Sequence, residues 1–172
     1  MIIYQKSFDL YHTVYRMLKL LVHFQGDNLI EIDRLRIWDY YLLYPNKMQN
    51  IYLTRDEKDI KQYIKRFITR PYNPYENVLN DRKMFEKIKP YQMSAINSLA
   101  SYGIINKDFL IDNRISNIDK DFFNKNKINF EEMSIQEENA IKLLTSHFYQ
   151  VPLVGVNGLK SKTGLLESKY DA

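Results

Sequence analysis

Two segments of this chain are apolar around almost the whole circumference of the helix that each predicts. From Phe8 to Phe24, leucine, valine, methionine and tyrosine cover most of a helical wheel. The segment Arg34–Tyr44 is similar, and Pro45 ends it. Because a helix that is apolar on all sides is normally buried on more than one side, the two predict the hub of the fold. Core packing is the commoner cause of such a pattern, and the alternative is a second face that binds a partner subunit.

The first of these helices keeps one narrow polar stripe and carries two of the three histidines in the chain. Ser7 is a plausible N-cap and Gly26 a plausible C-terminal stop. The stripe consists of His12, Arg16, Lys19 and His23. At 1.5 Å per residue, the two histidines lie roughly 16 Å apart along the helix, too far to share a metal ion.

The remaining helix signals divide the chain into parts. The sequences from Thr54 to Glu57 and from Ser134 to Glu137 are capping boxes that begin amphipathic helices. A length of 172 residues suits one domain, or two very small ones. We expect a single compact domain over residues 1–152, with the helical hub in 1–70, a second half in 79–118 and a closing helix over 134–149. Residues 153–172 hold three of the five glycines and predict an irregular tail.

Catalytic patterns are scarce in the sequence. The absence of cysteine excludes disulfides, thiolate nucleophiles and cysteine-ligated metal sites. The pairs Glu131–Glu132 and Glu137–Glu138 lie at helix starts, where the helix dipole favours negative charge. We therefore predict no enzyme, no cofactor, no metal and no small-molecule substrate; an enzyme that uses His12 or His23 is a weaker alternative.

The charge and hydropathy of the chain bear on location and partners. The net charge of +4 permits weak attraction to nucleic acid or an acidic partner without requiring either. Much of that charge lies on the helix after Thr54, on Arg55, Lys58, Lys61, Lys65 and Arg66. A basic helix face is usually only solvated; otherwise it is a docking stripe for phosphates or an acidic partner. No run approaches the ~20 apolar residues of a membrane span, so the expected location is cytoplasmic.

The second half has the element order of a winged helix; the alternative is a generic helix pair followed by a hairpin, unrelated to winged helices. Residues 82–88 and 90–102 read as two helices around Pro90, and Gly103 closes the second. Residues 109–111 and 115–118 flank a turn at Asp112–Asn113 and predict a β-hairpin. The predicted fold is mainly α (α+β): a helical hub plus a winged-helix unit with a short β-hairpin wing.

A winged helix suggests a DNA-binding regulator as one reading. The candidate DNA contacts are Lys87, Lys89, Asn97 and Arg114. However, no lysine or arginine lies between Lys89 and Lys107, and a recognition helix without phosphate anchors binds weakly. Protein contact is the favoured use of this half.

Several segments together resemble the middle-component family of bacterial ABC-three-component systems. They are Phe8–Asp-Leu-Tyr-His12 leading into Arg16–Leu21, then Ile32–Pro45, Lys89–Ile105 and Gly158–Glu167. The resemblance implies a non-catalytic adaptor between an SMC-like coiled-coil ATPase and an effector subunit, as in the Lamassu anti-phage systems. It also implies that DNA is reached indirectly, through the complex.

The residues expected to contact partners come from the second hub helix and the tail. They are Tyr40, Tyr44, Leu159, Lys160, Leu165 and Leu166.

Overall fold

The computed structural model describes residues 5–24, 26, 29–68, 78–116, 121, 130 and 132–167. Its α-helices are α1 (Leu10–His23), α2 (Ile32–Leu43), α3 (Lys58–Phe67), α4 (Asp81–Ser101), α5 (Ile135–Thr145), α6 (His147–Gln150) and α7 (Leu159–Thr163). Short 3-10 helices cover Lys6–Phe8, Pro45–Asn50, Arg55–Glu57 and Lys107–Asp112. The strands β1 (Ile30–Glu31) and β2 (Arg114–Ile115) pair in antiparallel register, Ile30 opposite Ile115. The mainly α class with a small sheet is confirmed.

The chain divides into two compact units. Unit 1 combines Met1–Asp39 with Lys87–Glu132, and unit 2 combines Tyr40–Glu86 with Met133–Ala172. The boundaries between them fall inside α2 and inside α4. Within the described residues, no helix is long and apolar enough to cross a membrane.

Helix α1 begins later than predicted. Asp9, rather than Ser7, is its N-cap, and its carboxylate accepts the His12 backbone N–H at 2.8 Å. Ser7 lies instead in the preceding 3-10 turn, Lys6–Phe8. The turn moves the first helical residue forward by two positions, and an aspartate is as good a cap as a serine.

The core of unit 1 confirms that α2 is buried around its circumference. Met17 and Leu20 of α1 and Leu35 and Trp38 of α2 have no exposed surface. The Trp38 ring lies 5.9 Å from that of Phe24. The burial of these side chains agrees with the interpretation that the two apolar segments form the core.

A buried polar network lies within the same core. Asp39 is fully buried and accepts hydrogen bonds from Arg16 Nε at 2.7 Å and from Gln92 Nε2 at 2.9 Å. Arg36 Nε donates to Gln92 Oε1 at 3.1 Å, and Gln92 Nε2 also donates to the Arg36 carbonyl. Arg16 and Lys19, two residues of the polar stripe on α1, are buried. Arg16 is accommodated there because Asp39 supplies a carboxylate for its guanidinium inside the unit.

The predicted break at Pro90 is wrong. Helix α4 is continuous from Asp81 to Ser101 with Pro90 inside it. A proline within a helix removes one hydrogen bond and costs ~3 kcal/mol. Side chains before and after the proline are fully buried, among them Ile88, Gln92, Ala95 and Ile96. Burial on this scale offsets the local penalty.

The predicted hairpin is also wrong. Residues 109–111 lie in the 3-10 helix Lys107–Asp112, which begins where the Asn106 side chain accepts the Asp108 N–H. Strand β2 pairs with β1 rather than with these residues. Ile32 N–H adds a bond to the Asn113 carbonyl at 2.9 Å. The second predicted strand, 115–118, extends past the described residues after Ser116.

Residues 159–163 of the expected irregular tail form helix α7. Gly158 precedes the helix at a position where a Cβ would overlap the Val154 backbone. Gly164 ends it in the left-handed conformation, with φ of 64°, which only glycine adopts readily. Two of the glycines in the segment predicted to be irregular therefore begin and end a short helix.

Candidate partner-binding site

The C-terminal segment 159–167 packs into unit 2. Leu159 and Leu165 are each only 1% exposed. The Tyr52 backbone N–H donates to the Lys162 carbonyl at 2.9 Å, and the Leu159 N–H donates to the Pro152 carbonyl at 2.7 Å. Arg82 adds an exposed ion pair with Glu167 at 2.7 Å. Two buried leucines and these polar contacts hold the segment in one position.

Glu57 is the charged centre of this attachment. Its Oε2 accepts from Lys162 Nζ at 2.6 Å and from the Thr54 N–H at 2.8 Å, while Oε1 lies 3.2 Å from His147 Nε2. Partial burial opposes ionisation. The hydrogen bonds from Lys162, Thr54 and His147 outweigh it and lower the Glu57 pKa to about 2. The predicted capping-box glutamate thus also anchors a lysine 105 residues later in the chain.

We expect Glu57→Gln to destabilise unit 2 near neutral pH but not near pH 2. A lowered folded-state pKa stabilises the fold above the ordinary pKa of 4.5, and this contribution disappears as the pH falls towards 2. The expected loss at pH 7 is on the order of 2 kcal/mol. Urea denaturation at several pH values measures it.

The matched control is Glu86→Gln, which neutralises an exposed carboxylate. A constant difference between Glu57→Gln and wild type from pH 7 to pH 2 would contradict the role given to the Glu57 charge.

Tyr40 is the centre of an aromatic cluster in the interior of unit 2. It has no exposed surface, and its ring lies 5.2 Å from that of Tyr44 and 5.9 Å from that of Phe85. Its hydroxyl donates to Asp81 Oδ1 at 3.0 Å, and Lys47 Nζ lies 2.9 Å from the same oxygen. Burial, and then the Asp81 carboxylate, raise the Tyr40 pKa well above its ordinary value. The hydroxyl stays protonated and donates.

The six residues predicted to contact partners all lie in unit 2 but differ in exposure. Tyr40, Leu159 and Leu165 are buried and act inside the unit. Tyr44, Lys160 and Leu166 are half-buried.

Sequence reasoning missed exposed apolar side chains beside the docked segment. Tyr52 is 65% exposed, and its backbone is bonded to Lys162. Val154 and Val156 are 45% and 90% exposed, in a loop that returns to α7 through the bond from Lys160 N–H to the Leu153 carbonyl. The sequence signal that could have identified these side chains is the valine-rich loop between two buried segments. We call Tyr52, Val154, Val156, Lys160 and Leu166 the C-terminal surface.

The candidate DNA contacts all lie in unit 1. Lys87, Lys89 and Asn97 are exposed on α4. Arg114 Nη1 lies 3.3 Å from Glu31 Oε1, so this arginine is already engaged by a carboxylate. Partial burial alone would raise the Glu31 pKa, but Arg34 and Arg114 hold it below the ordinary value.

Asn97 also lines an open groove of about 940 Å³ in unit 1. Its other lining residues include Ser101, Ile104, Asn106, Lys107 and Leu110. The groove mixes amide, hydroxyl and aliphatic groups around one lysine.

The histidines have local partners. His12 Nδ1 lies 3.2 Å from Asp9 Oδ1, and His23 Nδ1 lies 2.7 Å from the Lys19 carbonyl. Within the described part of the chain, no group of three or more His, Asp or Glu residues is arranged to hold a metal ion.

The described residues form a helical protein. Its C-terminal segment is held by buried leucines and the Glu57–Lys162 pair, and the side chains of Tyr52 and Val156 are exposed beside it. The family model of ABC-three component (ABC-3C) system Middle Component 5 matches residues 2–171. The chain belongs to this family, which places it in an accessory role within a multi-subunit system. No curated protein and no solved structure matches the chain.

Proposed function

We propose that the chain is a non-catalytic adaptor that bridges an SMC-like coiled-coil ATPase and an effector subunit in an anti-phage complex of the Lamassu type. The family match over residues 2–171 carries this proposal. A middle component works through its partners, so the functional groups to seek are contact surfaces. We expect the protein in the cytoplasm, with the ATPase supplying nucleotide binding and the main DNA contact.

The C-terminal surface is the proposed partner contact. It combines the exposed apolar side chains of Tyr52 and Val156 with Lys160 at its edge. The segment beneath it is fixed by Leu159, Leu165 and the Glu57–Lys162 pair, so a partner meets a preformed surface. Preorganisation of this kind reduces the entropy lost on binding.

The alternative of a winged-helix DNA-binding regulator depends on a hairpin wing. Residues 109–111 form a 3-10 helix instead, and α4 passes through Pro90 without a turn. Direct DNA contact by Lys87, Lys89, Asn97 and Arg114 remains a separate proposal for unit 1.

Co-expression with the two other components tests the adaptor proposal. We expect tagged chain to capture both, and Tyr52→Ser/Val156→Ser to reduce capture of at least one of them at least tenfold, the effect of losing a strong interface anchor. The matched control is Tyr102→Ser/Ile111→Ser, which removes two similarly exposed apolar side chains from unit 1.

Each outcome has a definite meaning. Loss of capture with the control pair alone would show that the partner surface lies in unit 1. If the wild-type chain captures neither component, the adaptor role is wrong.

A further inference from the structure

Helix α3 carries a stripe of exposed cations on one side. We call Lys58, Lys61, Lys65 and Arg66 the basic stripe; all four are exposed. At 3.6 residues per turn the lysines fall on a common face, with Gln62 between them. Glu57, at the start of this region, is held by Lys162. Its charge is therefore paired with a cation outside the stripe, and the exposed Asp59 lies at the stripe's edge.

The opposite face of α3 is already occupied within unit 2. Ile64 and Ile68 are 2% and 0% exposed. Tyr63 donates its hydroxyl to Asn139 Oδ1 at 3.0 Å, and Asn139 Nδ2 donates to the Phe67 carbonyl at 3.3 Å. A basic amphipathic helix binds a lipid surface by inserting its apolar face. Because Ile64 and Ile68 pack against the unit, the stripe offers a ligand mainly charge, with the 41% exposed ring of Phe67 beside Arg66, whose Cζ lies 5.2 Å from the ring centre.

The composition of the stripe distinguishes between two negatively charged ligands, an acidic protein surface and the phosphates of a nucleic acid. Protein interfaces contain apolar or aromatic anchors at their centre, and lysine is depleted there. Lysine-rich surfaces without such anchors are the ones that bind nucleic-acid phosphates, where counterion release supplies the affinity. The stripe and the intervening Gln62 contain no apolar side chain.

We propose that the basic stripe of α3 binds the phosphate backbone of duplex nucleic acid without reading its sequence. From Lys58 to Lys65 the helix rises about 10 Å. Successive phosphates of one strand are separated by about 3.4 Å along a duplex axis, so the stripe spans on the order of three phosphates. This contact goes beyond the adaptor role and adds a weak direct interaction to the DNA contact expected of the ATPase.

Fluorescence anisotropy with the purified full chain and a labelled duplex of random sequence, about 30 base pairs long, tests the proposal. Between about 50 and 200 mM salt, we expect log K to fall against log salt concentration with a slope of about −3. Lys58→Gln/Lys61→Gln should lower affinity at least tenfold at the lower salt and reduce the slope by about 2.

The matched control is Lys83→Gln/Lys142→Gln, which removes two exposed lysines of unit 2 that lie outside both the stripe and the candidate DNA contacts. Equal or larger loss with the control pair would overturn the assignment to α3. So would an absence of duplex binding at low salt. If Lys58→Gln/Lys61→Gln instead abolishes capture of a protein component while duplex binding is unchanged, the stripe binds an acidic protein. Failure of capture in the wild-type chain leaves the duplex measurement intact, so this proposal and the adaptor proposal fail separately.

Discussion

Asp39→Ala is expected to lower the free energy of unfolding by about 3–5 kcal/mol, the usual effect of removing one member of a buried ion pair. Asp39 has no exposed surface and accepts from Arg16 and Gln92. The substitution leaves the guanidinium of Arg16, a residue that is 8% exposed, without its carboxylate. It also leaves a cavity beside Gln92. Urea denaturation of the full chain measures the loss.

A second variant separates the buried charge from the cavity. Arg16→Met/Asp39→Leu removes both ions and keeps apolar volume, and such replacements are often neutral or stabilising. We therefore expect the double variant to be more stable than Asp39→Ala. Asp112→Ala, at an exposed carboxylate, should change stability by no more than about 0.5 kcal/mol. A loss below about 1 kcal/mol in Asp39→Ala would contradict the importance of this network.

The buried network around Asp39 shows which features of the fold can be predicted from the sequence and which cannot. The segment Arg34–Tyr44 predicts α2 from its own apolar residues, without information from the rest of the chain. The observed bounds of α2 are Ile32–Leu43. Helix periodicity also places Arg16 and Lys19 on one stripe. That the stripe faces inward depends on Asp39, 23 residues after Arg16, and no local pattern contains that information.

The hairpin and Pro90 show the same division between local and long-range causes. The Asp112–Asn113 pair predicts left-handed backbone, and Asn113 has φ of 55°. The strand that follows pairs with Ile30–Glu31, far away in the sequence. At Pro90 the local penalty is real, but buried side chains on both sides keep α4 continuous through it. Local signals therefore identified turns and caps, and tertiary contacts decided what they connect.

For the candidate site, the sequence identified the segment but not its attachment. The Thr54–Glu57 capping box is present, and Ser134 is the N-cap of α5, where its hydroxyl accepts the Glu137 N–H at 3.2 Å. The pair between Glu57 and Lys162 joins the capping box to the tail. Because Lys162 is 105 residues away from Glu57, its partner could only be known from the fold.

Leu165→Ala is expected to destabilise the attachment of the C-terminal segment by about 2–4 kcal/mol, since it removes a side chain that is 1% exposed and leaves a cavity. The loss should be local first, because a short segment can open while the rest of its unit stays folded. The Tyr52 amide reports this opening, since its hydrogen bond goes to the Lys162 carbonyl. Hydrogen exchange at that amide should accelerate at least tenfold.

Leu166→Ala, at a half-buried neighbour, is the control and should have a smaller effect. An unchanged Tyr52 exchange rate in Leu165→Ala would mean that Leu159 and the Glu57–Lys162 pair are enough to hold the segment, and the preformed partner surface would then not depend on the burial of Leu165.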